Sequence, residues 1–109
     1  MDVKEMLETG TGLKWKELRY LKTPAFPYFI FIDDTYTRGA DLYISIIEHN
    51  LTLECYSEVI DTENEKKIET FLKSEDYQYN KSREWLNEEK MYMTIYELDT
   101  FLEKVAKGD

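Results

Sequence analysis

Apolar residues follow helical spacing near the amino terminus, run together in one central stretch, and alternate with polar residues through most of the remainder. Asp2 is placed to cap a first helix, with Val3, Met6 and Leu7 on one face and an end near Thr9-Gly10, where Gly10-Thr11-Gly12 interrupts it. Leu13 to Leu21, mixing Trp15, Leu18 and Tyr20 with charged residues, reads as a strand. Both prolines of the chain, Pro24 and Pro27, follow. Proline fixes φ, donates no hydrogen bond and pushes the preceding residue toward extended geometry, so Thr23 to Pro27 is an extended lead-in. Tyr28 to Ile32 is then a strand. Five consecutive apolar residues leave it no wet face, and the spacing predicts cover on both sides, from the core, from a helix or from another subunit.

Asp34 to Asp41 is polar and contains Gly39, which predicts a loop. Leu42 to Glu48 and Leu51 to Tyr56 both alternate. His49-Asn50 between them has the length and chemistry of a two-residue turn, which makes the pair a hairpin. Asp61 or Thr62 caps a second, longer helix with Glu63 and Glu65 in its first turn, a buried stripe of Ile68, Phe71 and Leu72, and an end between Ser74 and Asp76. Tyr77 to Lys81 and Met91 to Leu98 read as strands, with a turn over Trp85 to Lys90. Phe101, Leu102 and Val105 have helical spacing. The expected architecture is a single α+β domain over residues 1–109: a mainly antiparallel sheet flanked by the N-terminal helix and the longer helix, in the order α-β-β-β-β-α-β-β, with residues 99–109 a C-terminal extension or short helix.

Charge narrows the partners. With 23 acidic residues against 14 basic ones, the formal net charge of −9 repels phosphate, and the lysines are dispersed among glutamates. Sequence-specific nucleic-acid binding therefore lacks its usual basic stripe. An aromatic fraction of 15% instead suits sheets and contact surfaces. No stretch approaches the roughly 20 apolar residues of a membrane span, and the first residues lack the apolar run of a signal peptide, so a cytoplasmic protein is expected.

Candidate chemistry is sparse. His49, the sole histidine, falls in the expected hairpin turn, where a solvated imidazole lacks the oriented partner that acid–base catalysis requires. Cys55, the sole cysteine, alternates onto the face of Leu51 and Leu53, the place of a core thiol rather than a nucleophile. Gly10-Thr11-Gly12 has neither the Walker spacing nor the dinucleotide fingerprint. Asp61-Thr62-Glu63-Asn64-Glu65 lacks the glycine and the distal glutamate of a calcium loop. No cofactor, metal or enzymatic activity is expected.

Several segments, taken in order, carry a resemblance: Lys22-Thr23-Pro24 through Pro27-Tyr28, Gly39-Ala40-Asp41 before a strand, Leu53-Glu54-Cys55-Tyr56 before an acidic helix, and Glu89-Lys90-Met91-Tyr92-Met93-Thr94-Ile95-Tyr96-Glu97. Together, from the first helix to about Leu98, they resemble a family of small tail completion, tail terminator or head-tail joining proteins from long, non-contractile-tailed phages and prophages of Gram-positive bacteria. The resemblance implies a structural, non-enzymatic virion assembly protein without cofactors. Its partners would be copies of itself in a ring, usually hexameric, together with the tail tube protein and the head connector. A ring subunit needs two different patches that complement each other. Tyr28, Tyr36, Tyr43 and Tyr92, with Asp34, Arg38 and Asp41 of the expected loop, are the interface candidates. An acidic ring would let DNA pass without binding it. The alternative from another class is a small acidic binding module, of inhibitor or immunity type, that masks a basic partner.

Overall fold

The computed structural model describes residues 1–39 and 43–106. Its elements are α1 (Val3–Thr11), β1 (Trp15–Glu17), β2 (Tyr28–Gly39), β3 (Ile44–Ser57), α2 (Thr62–Ser74), β4 (Tyr79–Leu86), β5 (Met91–Leu98) and β6 (Phe101–Ala106). The α+β class holds, with two helices and a six-stranded, mainly antiparallel sheet among the described residues. Strand order is β1-β2-β3-β5-β4, with β1 parallel to β2 and with β6 pairing β3.

Both helices cover one face of the sheet. Leu51, Leu53 and Cys55 of β3, Phe29 and Phe31 of β2, and Tyr96 and Leu98 of β5 meet Val3 and Leu7 of α1 and Ile68, Phe71 and Leu72 of α2 in one core cluster. Asp2 caps α1 by accepting from the Glu5 N–H, and Asp61 caps α2 by accepting from the Asn64 N–H. The first helix runs past its expected end. Gly10 lies inside it, where a Cβ would collide with the Phe71 ring, so glycine here permits close helix packing rather than a break. Gly12, at φ 72°, supplies the left-handed cap.

Of the expected strand from Tyr28 to Ile32, Tyr28 to Phe31 are buried, as the composition predicts, and Ile32 is half-buried. Helices cover one of its faces. The other is covered by the proline segment itself, which doubles back so that Phe26 stacks on Tyr28 at 5.7 Å and Tyr20 meets it edge-on at 5.8 Å. Tyr56 of β3 stacks on the same ring at 4.8 Å. Only Trp15–Glu17 of the expected strand over 13–21 is strand, because Leu18 turns at φ 66° and starts this covering segment.

Three further expectations are overturned. The expected loop from Asp34 is strand as far as Gly39, and residues 40–42 lie outside the described residues. His49-Asn50 is not a turn, because β3 runs unbroken from Ile44 to Ser57. The carboxyl-terminal segment is strand rather than helix: Phe101–Ala106 pairs with the first half of β3, where ladder hydrogen bonding overrides the helical spacing of Phe101, Leu102 and Val105. The element order is accordingly α-β-β-β-α-β-β-β.

The long β2, the unbroken β3 and the strand β6 belong to one feature. The second half of β3 pairs with β2 and β5 under the helices, while its first half pairs with the end of β2 and with β6. The latter three segments form an arm in which His49 is the only buried residue among those described. The molecule is correspondingly elongated, 51 × 30 × 22 Å.

Candidate functional site

Four of the interface candidates concern the arm. Asp34, Tyr36 and Arg38 alternate along β2 and share a face, and Tyr43 precedes β3 at 77% exposure. Tyr36 is 61% exposed and lies across the sheet from Glu48, which in turn faces Leu102, itself 56% exposed. Arg38 pairs with Glu48 at 3.0 Å, and the Asp34 carbonyl accepts from Asn50 Nδ2 at 3.4 Å. Asp41 lies outside the described residues. Tyr28 and Tyr92 are elsewhere: Tyr28 is buried beneath the proline segment, and Tyr92 packs on Trp85 at 4.8 Å beside the β4–β5 turn. Tyr28 is thus a fold residue rather than a contact residue, since its ring is enclosed by Tyr20, Phe26 and Tyr56.

At the base of the arm His49 occupies a site invisible in the local sequence. Its Nδ1 lies 2.9 Å from the Asp33 carboxylate and its Nε2 lies 2.7 Å from Glu103, with Phe101 stacked on the ring at 4.8 Å. Glu103 also accepts from the Met1 amine at 2.7 Å. Burial pulls the imidazole toward the neutral form, but the bonds to Glu103 and Asp33 outweigh it and raise the pKa above 6.5. Only imidazolium donates from both nitrogens. The arrangement holds a proton between β2, β3 and β6 and leaves neither nitrogen free to exchange one with a substrate.

A second charged cluster lies under α2, where Glu65 is buried at 2% exposure. It accepts from Arg83 Nε and Nη2 at 2.9 and 2.6 Å, from Lys81 at 3.0 Å and from Thr94 at 2.8 Å. Burial alone would raise its pKa, but these donors hold the carboxyl down to about 2. Glu69 accepts from Lys81 and Tyr96. Cys55 is fully buried, as expected, and burial pushes its thiol up to about 12, which makes it inert as a nucleophile at neutral pH. No group of His, Cys, Asp and Glu among the described residues is placed to hold a metal ion.

Neither cluster was legible as a site. Glu65 belongs to an acidic helix start that normally faces solvent, and its burial depends on cations contributed by β4, 16 and 18 residues further on. The alternation of Lys81 and Arg83 in an otherwise strand-like segment was the available signal. No protein-family model and no curated protein sequence matches this chain. No helix among the described residues is long and apolar enough to cross a membrane.

Proposed function

We propose that the protein is a non-enzymatic assembly subunit of a phage or prophage tail, one that terminates or completes the tail tube and joins it to the head connector. The observation that carries this reading is the arm: a strand extension beyond the helix-covered core, presenting Tyr36 and Leu102 to solvent on one face. Large exposed side chains on a projecting ribbon are contact surface rather than core, and tyrosine supplies wide amphipathic area at low entropic cost. The ordered resemblance in the sequence supplies the biological setting. In that setting the subunit assembles in the bacterial host's cytoplasm and resides at the head–tail junction, in a ring with copies of itself.

Light scattering on the purified protein, with and without tail tube protein, over a range of concentration and salt, tests this directly. A ring, or a complex with tube protein, is expected. Genes for a major tail protein and a head connector are expected beside its own, and their absence would sink the phage setting. The net charge of −9 favours a second reading, an acidic binding module for a basic partner. That reading predicts a strict monomer that ignores tube protein and binds cationic proteins in a salt-sensitive way.

A further inference from the structure

We propose that the free edge of β4, together with α2, is a docking groove for an extended acidic segment of a partner protein, which adds to the sheet as a further strand. This site is separate from the arm and does not depend on the tail reading.

Strand β4 ends the order β1-β2-β3-β5-β4, so one of its long edges has no strand beside it among the described residues. The phase of that edge follows from the hydrogen bond of the Asp99 N–H to the Gln78 carbonyl at 2.9 Å, which continues the register Tyr79↔Leu98. In an antiparallel ladder the bonded pairs alternate, so Asn80, Ser82, Glu84 and Leu86 turn their backbone groups toward β5. Tyr79, Lys81, Arg83 and Trp85 turn theirs outward. Peptide groups at two-residue spacing along an eight-residue strand are what an incoming strand pairs with.

The side chains of the same alternate residues decide what that strand must carry. Tyr79, Lys81 and Arg83 line a groove of about 630 Å³ whose other wall is α2, with Lys66, Thr70 and Lys73. Two carboxylates, Glu65 and Glu69, lie in the groove, but both already accept from Lys81, and Glu65 also from Arg83 and Thr94. Lys66 and Lys73 are exposed and form no ion pair among the described residues. The groove thus carries four cationic side chains against two satisfied carboxylates, in a chain whose net charge is −9. Its sign is opposite to that of the molecule.

Charged residues on an edge ordinarily prevent pairing with another edge. Here their sign makes the edge selective. Antiparallel pairing of β4 with its counterpart in a second copy would set Lys81 and Arg83 against Lys81 and Arg83, which like-charge repulsion opposes. An extended segment with Asp or Glu at alternate positions reverses that term. Its acidic side chains reach Lys66, Lys73 and Lys81, while its backbone pairs with the outward groups of β4. A nucleic acid would use the cations alone, against the field of the surrounding acidic surface.

The test is fluorescence anisotropy with a labelled peptide of alternating Glu and Thr, about ten residues long, against a Lys and Thr counterpart. Binding of the Glu peptide below about 1 mM at low salt is expected, with none of the Lys peptide. The double variant Lys66→Glu, Lys73→Glu, on the exposed face of α2, should weaken binding about tenfold or more. Trp85→Pro removes one outward N–H, which an edge strand tolerates, and should weaken binding while the circular dichroism spectrum stays native. Amide resonances of Tyr79, Lys81, Arg83 and Trp85 should shift on titration. Equal binding of both peptides, no binding at about 1 mM, or binding indifferent to both variants would overturn the proposal. So would resonance shifts confined to the arm, or a dimer of the unliganded protein that Trp85→Pro dissolves, which would give the edge to a second copy instead.

Discussion

Glu65 and His49 are both buried ionic residues facing the helix side of the same sheet, yet their surroundings are inverted. Glu65 is an anion among donors, two of them the permanent or nearly permanent cations Arg83 and Lys81. His49 is a cation between two anions, Asp33 and Glu103, and its hydrogen bonds to them move its titration above the ordinary imidazole value. One cluster ties α2 to β4 and β5 in the core; the other ties β2, β3 and β6 at the base of the arm. The core is therefore fastened by a carboxylate that only strong acid neutralises, and the arm by an imidazolium that a rise in pH discharges.

Glu65→Ala should have the largest effect. It deletes the acceptor for three side chains and opens a void beneath α2, and a loss of about 2–3 kcal/mol is expected by urea denaturation, limited because the cations can still reach water. A loss under about 0.5 kcal/mol would show that this cluster adds nothing beyond a surface pair.

Acid titration bears on the same group. A carboxyl whose folded pKa is about 2, against 4.5 for the free group, contributes stability above 4.5 that disappears as pH falls through about 2. The imidazole has the opposite sign. With a folded pKa raised above 6.5, it contributes fully below 6.5 and is lost as pH rises through the raised value. Hydrogen exchange should show the amides of β6 and the first half of β3 opening on the alkaline side while those of β5 stay protected. His49→Gln should cost about 1–2 kcal/mol at about pH 6 and flatten this dependence. A pH profile unchanged by the substitution would detach His49 from the arm.

Arg38→Glu should have the smallest effect on stability. Its partner Glu48 is at the surface of the arm, so unfolding should move by no more than about 0.5 kcal/mol. Assembly should nevertheless fail in light scattering. A large drop in stability would instead make the outer arm part of the fold.

How far the sequence could be read follows the same division. In the core, local pattern and tertiary structure agree: the strand Met91–Leu98, the stripe Ile68, Phe71 and Leu72, the Asp2 and Asp61 caps and the buried Cys55 were all legible. In the arm they diverge. Apolar residues sit at Ile44 and Ile46, then at Leu51 and Leu53, a change of phase that resembles two strands around a turn at His49-Asn50. It marks instead the point where one strand leaves the cover of the helices, beyond which His49 is its only buried residue. The partners of His49 lie 16 and 54 residues away, beyond the reach of any local pattern. The proline segment was legible as a rigid lead-in, but its return across Tyr28 depends on contacts with Tyr20 and Tyr56 that spacing does not encode.

The unbroken course of β3 has a mechanical consequence. Its fourteen residues form a cantilever, anchored between β2 and β5 and projecting between β2 and β6. Ladder hydrogen bonds run across the strands, so tension along the arm loads many of them in shear together instead of peeling them one by one. A sideways load meets less resistance, because the flank of β3 is shared by two separate strands that meet at Asp99-Thr100. The arm is stiff to pulling and compliant to bending, with its flexure point beside His49.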